Sequence, residues 1–173
     1  MLLEGALIAV AVALLVPAII VAVEAAAAVL PDRATGHPLP ASSMGPARLA
    51  VLIPAHNESA QIAATISDVI DNLKGTARIV VVADNCSDDT ALVAAAAGAT
   101  VIERHDPERR GKGFAISFGL RHLDVDPPQA IILIDADCRV AAGSLQTLAE
   151  LALRHQRPVQ AEYLLVAPPT PRP

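Results

Sequence analysis

Short, mostly apolar runs recur along this chain from residue 49 onward, and they constrain its fold more than any other feature. They are continuous rather than alternating with polar residues, a pattern typical of strands that are buried on both faces. The strand-like runs are residues 49–53, 79–83, 100–103 and 130–134. Because helical patterns separate them, we predict an α/β fold with a mostly parallel sheet and helices on both faces.

Helices are predicted between and after these strands. The first carries an apolar stripe that includes Ile62, Ile66 and Val69 at helical spacing. Ser87 is placed to cap the second helix, and Gly98 is placed to end it. A last apolar run, residues 159–166, predicts one further strand. Apart from the helix that Ser87 begins, the predicted helices span residues 59–73, 113–123 and 144–155.

Polar clusters follow three of the predicted strands, at residues 54–58, 84–89 and 135–137. The carboxyl ends of parallel strands meet at one edge of a sheet, and ligands of such sheets bind beyond that edge. We therefore expect the three clusters to form one site.

Asp135 and Asp137 are the strongest candidates for chemistry. They lie at positions i and i+2 at a strand end, so their side chains can point the same way. Two carboxylates there suit a hard divalent cation, which in turn suits phosphate. We interpret Asp137 as a metal ligand, with Asp135 sharing the metal or a ribose hydroxyl. The alternative is a solvated strand end or a helix cap.

The clusters after the first two strands suit a nucleoside. Asp84 can accept a hydrogen bond from a base N–H or a ribose hydroxyl, although Asp84 with Asn85 also suits a turn. Glu58 can bind a nucleoside and Asn57 can order the loop, although Asn57 is also a plausible helix cap. His56 is not predicted to bind metal, because none of the five histidines has a metal-ligand spacing to another.

The loop at residues 109–113 is basic and contains glycine, and it opens a predicted helix. Backbone N–H groups and cationic side chains there would suit a diphosphate, whereas the alternative is a solvated basic turn. It is not a P-loop, because Gly113 follows Lys112 where Ser or Thr is needed. Ile116 likewise breaks a dinucleotide fingerprint. The sequence contains neither a G-x-S-x-G nor an H-E-x-x-H motif.

The composition argues against nucleic-acid binding. Only 2% of residues are aromatic, tryptophan is absent and the net charge is −5, so neither aromatic platforms for base stacking nor an extended basic surface for a nucleic-acid backbone is expected. Cys86 and Cys138 form no C-x-x-C pattern, which argues against a disulfide scaffold or a zinc site. We interpret both cysteines as small apolar fillers.

The N-terminus predicts a membrane anchor. Residues 5–23 contain no charged side chain between Glu4 and Glu24, and as a helix they would span ~28 Å, close to the hydrocarbon thickness. A signal peptide is the less favoured alternative, because no basic residue precedes the run. Arg33 and Arg48 follow it, which places the globular part on the cytoplasmic side of the membrane. Residues 1–30 are thus predicted as a single transmembrane helix and residues 31–48, rich in proline, glycine and serine, as a linker.

Four stretches, in order, resemble the family 2 glycosyltransferases, which are inverting enzymes that use nucleotide-diphosphate sugars. They are residues 51–58, 80–90, 111–113 and 134–137. The resemblance covers residues 49–166 and implies the nucleotide-binding half of a glycosyltransferase A-type fold. Together with the N-terminal helix, it is similar to members that build polysaccharides or glycolipids at the cytoplasmic membrane face.

The resemblance also implies roles for individual residues. Asp84 would contact the base, typically uracil, and Asp135 would touch the ribose or the sugar. Asp137, with Asp135, would bind Mg²⁺ or Mn²⁺. The expected function is transfer from a UDP-sugar to a polysaccharide or lipid-linked acceptor. The nucleotide-binding residues that it implies are Pro54, Ala55, Asn57, Glu58, Asp84, Lys112 and Asp135.

The chain departs from the family in one respect. The family places its catalytic base, an Asp or Glu, well downstream of the D-x-D motif. Here the only carboxylate side chains after Asp137 are Glu150 and Glu162, and neither lies in a matching motif. The catalytic base is therefore unassigned, and with a proline-rich tail at residues 167–173 we expect the donor-binding half of a longer enzyme. The alternatives are a non-enzymatic nucleotide-binding module and, less favoured, a phosphotransferase of the haloacid dehalogenase type.

Overall fold

The structure is a computed structural model that describes residues 2–29, 48–74 and 77–164. The chain divides into two compact units, residues 1–43 and residues 44–173. Most of the predicted linker and all of the predicted proline-rich tail lie outside the described residues, so their boundaries stay predictions.

The described residues of the N-terminal unit form the helix α1, Leu2–Val29, with Pro17 inside it. Within residues 2–29, 48–74 and 77–164, every helix falls short of the combined length and apolarity needed to cross a bilayer. The predicted transmembrane anchor, with its location at the cytoplasmic membrane, is therefore wrong. The prediction treated Glu4 and Glu24 as flanks, but α1 continues through both charges. Ten of the 28 residues of α1 are alanine, which adds little apolar surface per residue.

The second unit contains a four-stranded sheet in the order β3-β2-β1-β4, and every pairing is parallel. Its strands are β1 Leu49–Ala55, β2 Ala77–Asp84, β3 Thr100–Arg104 and β4 Ala130–Leu133. Four helices accompany them, α2 Ile62–Leu73, α3 Thr90–Ala96, α4 Lys112–Leu123 and α5 Ser144–His155. The predicted α/β fold with a parallel sheet is confirmed.

Helices cover both faces of the sheet. Val51 and Ile53 of β1 pack with α2, α3 and α5, whereas Ala50 and Leu52 pack with α4 on the opposite face. All four side chains are fully buried. Alternate residues of the central strand thus enter two separate cores. Burial on both faces explains why the run is continuously apolar, as predicted.

The helix α2 begins later than predicted. The Glu58 carbonyl accepts hydrogen bonds from the N–H groups of Gln61 and Ile62, both at 3.0 Å, so a turn occupies residues 59–61 before the helix. This turn leaves the residues directly after β1 free of the helix and available to the carboxyl edge of the sheet.

Ser87 does not cap α3, because its own N–H and hydroxyl bind the Asn57 side-chain oxygen at 2.7 and 3.3 Å. The N-cap residue is Asp89, which makes no capping hydrogen bond with its side chain. The Asp88 carboxylate accepts the N–H of Thr90, the first residue of the helix, at 3.0 Å.

The further strand predicted at the C-terminal end is not found in its described part, residues 159–164. Tyr163 and Leu164 are 62% and 71% exposed there. An apolar run becomes a strand only where a neighbouring strand offers hydrogen bonds, and no described strand pairs with this segment.

Gly119 of α4 is predicted to be required by close packing. A Cβ there would overlap Leu52 and come within 2.9 Å of the Val82 Cγ2 atom. We expect Gly119→Ala to lower the free energy of unfolding by about 1–3 kcal/mol, despite the roughly 1 kcal/mol that alanine adds to helix propensity. Urea unfolding followed by circular dichroism measures the change.

Gly113, in the same helix, is the matched control. A Cβ there meets nothing within 4 Å, so Gly113→Ala should leave stability unchanged or raise it. Equal stability of the two variants would contradict the proposed packing of α4.

Candidate functional site

A cavity of about 340 Å³ lies at the carboxyl edge of the sheet, and it is lined by all three polar clusters and the loop before α4. Of the predicted site residues, Asn57 alone is not in the lining. Those that line it are Pro54, Ala55, Glu58, Asp84, Lys112, Asp135 and Asp137. The rest of the lining consists of His56, Asn85, Arg110, Gly111, Ala115 and Ala136.

The loop after β4 holds a cluster that fits a divalent cation. Ligand atoms of Asp135, Asp137 and Cys138 all lie within 4.8 Å of one another. The carboxylates provide the hard oxygen ligands that Mg²⁺ and Mn²⁺ prefer. Asp135 also forms an ion pair with the Lys112 ammonium group across the cavity. Cys138 was interpreted from the sequence as a filler, but it directly follows Asp137 and its thiol lies within this group of ligand atoms.

Glu58 lies beside this cluster. Desolvation by partial burial raises the pKa of its carboxyl above the ordinary value, and the carboxylates of Asp137 and Asp88 raise it further. The Glu58 N–H donates to the Thr90 hydroxyl at 2.8 Å, which fixes the backbone of the loop. Negative charge is therefore concentrated at this end of the cavity, a surrounding that favours a cation.

Asn57 connects the loops after β1 and β2 rather than facing the cavity. Its backbone has a φ of 55°, in the left-handed region that asparagine tolerates. Its side-chain oxygen accepts the Ser87 N–H at 2.7 Å. The interpretation that Asn57 orders the loop agrees with these contacts.

His56 adds a second connection between the same loops. Its Nδ1 atom lies 2.7 Å from the Asp84 carbonyl oxygen. A carbonyl can only accept, so Nδ1 carries the hydrogen and donates it. His56 thereby joins the two loops and adds a polar side chain to the cavity wall.

Asp84 forms a buried ion pair with Arg104. The distance from Arg104 Nη1 to Asp84 Oδ1 is 2.6 Å, and both side chains are only 8% exposed. Asn85 donates to the same oxygen at 3.0 Å. Arg104 also binds Asp106 at 3.0 Å and lies 5.6 Å from the centre of the Phe114 ring. These contacts fix the Asp84 carboxylate against the cavity.

Arg104 was missed in the sequence because only strand register reveals it. Asp84 and Arg104 are direct partners in the parallel pairing of β2 with β3. They are separated by twenty positions in the chain. Opposite charges at two strand ends would have been informative only if that register had been known.

The basic loop opens α4 as predicted. Gly111, with a φ of 118°, occupies the N-cap position. Its carbonyl accepts the Phe114 N–H at 3.0 Å. Arg110 and Lys112, on either side of Gly111, both line the cavity. The first turn of α4 and two cations therefore face the same space as the acidic cluster.

Tyr163 approaches the group of Asp135, Asp137 and Cys138 from the C-terminal segment. The Cys138 sulfur lies 3.9 Å from the Tyr163 hydroxyl oxygen. This contact, followed by burial and the Asp137 and Asp135 carboxylates, raises the pKa of Tyr163 above its ordinary value. The two downstream carboxylates considered in the sequence, Glu150 and Glu162, do not line the cavity.

Known proteins resemble this chain over the same region. It is 34% identical to the protein RfbJ of Shigella flexneri over 108 residues, which is 62% of this chain and 78% of RfbJ. A structure of glucosyl-3-phosphoglycerate synthase from Mycobacterium tuberculosis with Mn²⁺, UDP and phosphoglyceric acid has a TM-score of 0.51 and 27% identity. The match covers 62% of this chain and 39% of the synthase.

A more distant similarity supports the fold alone. The mannosyltransferase PcManGT from Pyrobaculum calidifontis, in complex with GDP-Man and Mn²⁺, has a TM-score of 0.52 and 22% identity. The match covers 61% of this chain and 32% of that protein. This chain thus spans well under half the length of these solved structures. Residues 50–161 match the family model for glycosyl transferase family 2, and the chain therefore belongs to that family.

Proposed function

We propose that this chain forms the donor site of an inverting, metal-assisted glycosyltransferase, with a UDP-sugar as the donor. The proposal depends on one observation, that Asp135, Asp137 and Lys112 share a cavity with the buried Asp84. Membership of glycosyl transferase family 2 supports it, as does the UDP and Mn²⁺ complex of the synthase. We take residues 49–166 as the nucleotide-sugar-binding domain.

The nucleoside would occupy the part of the cavity formed by the loops after β1 and β2. Asp84 would accept the N–H of a uracil base, since Arg104 and Asn85 already fix one of its oxygens. Pro54, Ala55 and Glu58 would form the wall. Asn57 would act indirectly, by holding the two loops together.

The diphosphate would lie between the basic loop and the acidic pair. Lys112 pairs with Asp135, and the same ammonium group can instead neutralise a phosphate oxygen. Asp135 and Asp137 would hold Mg²⁺ or Mn²⁺. When bound, that cation would offset the negative charge that grows on the nucleoside diphosphate as the sugar leaves.

The acceptor is proposed to be a polysaccharide or a lipid-linked sugar, on the family resemblance alone. No catalytic base is assigned, because neither Glu150 nor Glu162 lines the cavity. The same observation favours the second candidate, a nucleotide-binding module that does not transfer sugar. Family membership removes the support for a haloacid dehalogenase type phosphotransferase.

Metal-dependent UDP binding tests the proposal. In the parent chain, Mn²⁺ should tighten UDP binding because the cation would offset the negative charge of the diphosphate. We expect a gain of about tenfold or more, which corresponds to ~1.4 kcal/mol. Asp137→Ala should abolish this gain because it removes one of the two carboxylates. Titration calorimetry with UDP, with and without Mn²⁺, measures both affinities.

Asp124→Ala is the matched control, because it removes the same charge at an exposed position at the end of α4, outside the cavity. It should bind Mn²⁺ and UDP as the parent does. If Asp137→Ala kept the parent's Mn²⁺ dependence, the metal assignment would be refuted.

The buried pair of Asp84 and Arg104 gives a second prediction. Arg104→Met leaves the Asp84 carboxylate buried without its cation, which should lower stability by roughly 3–5 kcal/mol. UDP affinity should fall as well, because the carboxylate is no longer fixed. Thermal unfolding and calorimetry follow the two effects.

Arg78→Met is the corresponding control for an exposed ion pair. Arg78 binds Asp126 at 3.0 Å, but the two side chains are 44% and 60% exposed. Its loss should cost about 1 kcal/mol or less and leave UDP binding unchanged. Similar losses of stability in the two variants would show that burial of the Asp84 pair does not matter.

A further inference from the structure

The helix α2 reaches the loop that carries Asp137 through a buried threonine. The Thr65 hydroxyl lies 2.7 Å from the Ala136 carbonyl oxygen and 3.0 Å from the Cys138 carbonyl oxygen. Thr65 is only 1% exposed. Its contacts reach across 71 and 73 positions in the chain, so they exist only in the folded domain.

The two carbonyl groups that Thr65 contacts lie on either side of Asp137. The Ala136 carbonyl belongs to the peptide that enters Asp137, and the Cys138 carbonyl lies one residue beyond it. Holding both restricts the backbone dihedral angles between them, and these angles set the direction of the Asp137 side chain. Ala136 itself is 4% exposed and packs in the core, which leaves the loop little freedom on that side.

Asp68, one turn further along α2, holds the next part of the same loop. Its carboxylate accepts the Val140 N–H at 3.1 Å and binds the Arg139 guanidinium at 2.7 and 2.9 Å. Partial burial opposes ionisation of Asp68, but the bonds from Arg139 and Val140 prevail and lower its pKa. Thr65 and Asp68, on one face of α2, therefore hold residues 136–140 through contacts outside the cavity lining.

We propose that Thr65 is a positioning residue for the cation site, acting on Asp137 through the two carbonyl groups that its hydroxyl contacts. The inference rests on the proposed function, because it assumes that Asp137 binds a divalent cation. It deepens that function by assigning part of the metal affinity to a residue outside the cavity lining. A hydroxyl has a single hydrogen, which the two carbonyl oxygens share.

Thr65→Val tests the proposal, because valine keeps the shape of threonine and removes the hydroxyl. We expect Mn²⁺ affinity in the presence of UDP to fall by about tenfold, the lower end of the range for residues that orient metal ligands. UDP affinity without metal should change by less than about twofold, because the nucleoside wall is formed by other loops. Mn²⁺ electron paramagnetic resonance measures free cation, and calorimetry measures UDP.

Two further variants separate positioning from general stability. Thr65→Ser keeps the hydroxyl and should restore Mn²⁺ affinity to within about twofold of the parent. Val69→Ala removes buried side-chain volume from the same helix, at a position that is 0% exposed and faces the core. It should lower the melting temperature at least as much as Thr65→Val, without weakening Mn²⁺ binding.

A ligand-free measurement completes the test. Amide hydrogen exchange of a peptide covering residues 134–140 should be faster in Thr65→Val than in the parent, Thr65→Ser or Val69→Ala. Parent-like Mn²⁺ affinity or parent-like exchange in Thr65→Val would overturn the inference. If the parent itself bound no Mn²⁺ with UDP, the proposed function would fail, while the exchange data would still show whether Thr65 holds the loop.

Discussion

The parallel hydrogen-bond ladder between β1 and its two neighbours is the constraint on which the site depends. β1 pairs with β2 on one side and β4 on the other, so the chain leaves all three strands at the same edge. A slip of one residue in either pairing would turn every side chain of that strand to the opposite face. The two apolar cores prevent such a slip, since alternate residues of β1 are buried on both faces. Packing far from the cavity thus determines which polar groups meet in it.

Local pattern was sufficient to predict the parallel α/β sheet and the meeting of three polar clusters at its carboxyl edge. Continuous apolar runs predicted buried parallel strands, and the strand ends predicted the cluster with Asp135 and Asp137. The partners that hold these groups were not predictable, because Arg104 and Thr65 contact them only through strand register and helix packing. The error in the N-terminal region had another origin. The absence of charge in residues 5–23 was taken as a sign of membrane insertion. Alanine, however, also favours a helix outside a membrane.

The cavity combines groups that stability alone would not bring together. Partial burial and then the Asp137 and Asp88 carboxylates raise the pKa of Glu58, and both effects oppose folding at neutral pH. Hydrogen bonds to buried threonines offset these effects. The Thr90 hydroxyl accepts the Glu58 N–H in the loop after β1, and the Thr65 hydroxyl donates to the Ala136 carbonyl in the loop after β4. Such crowded carboxylates, held in place by hydrogen bonds, fit the proposed binding of a cation and a diphosphate, because the bound cation would offset their negative charge.

The two ion pairs of the cavity differ in their access to water, and this difference separates their responses to ionic strength. Arg104 and Asp84 are 8% exposed each, whereas Lys112 and Asp135 are 53% and 40% exposed. Mobile ions screen the exposed pair and hardly reach the buried one. Rising salt should therefore weaken the pair of Lys112 and Asp135 while the pair of Arg104 and Asp84 persists. Under the proposed function, the ammonium group that would turn to a phosphate responds to the ionic medium, and the carboxylate that would bind the base is shielded from it.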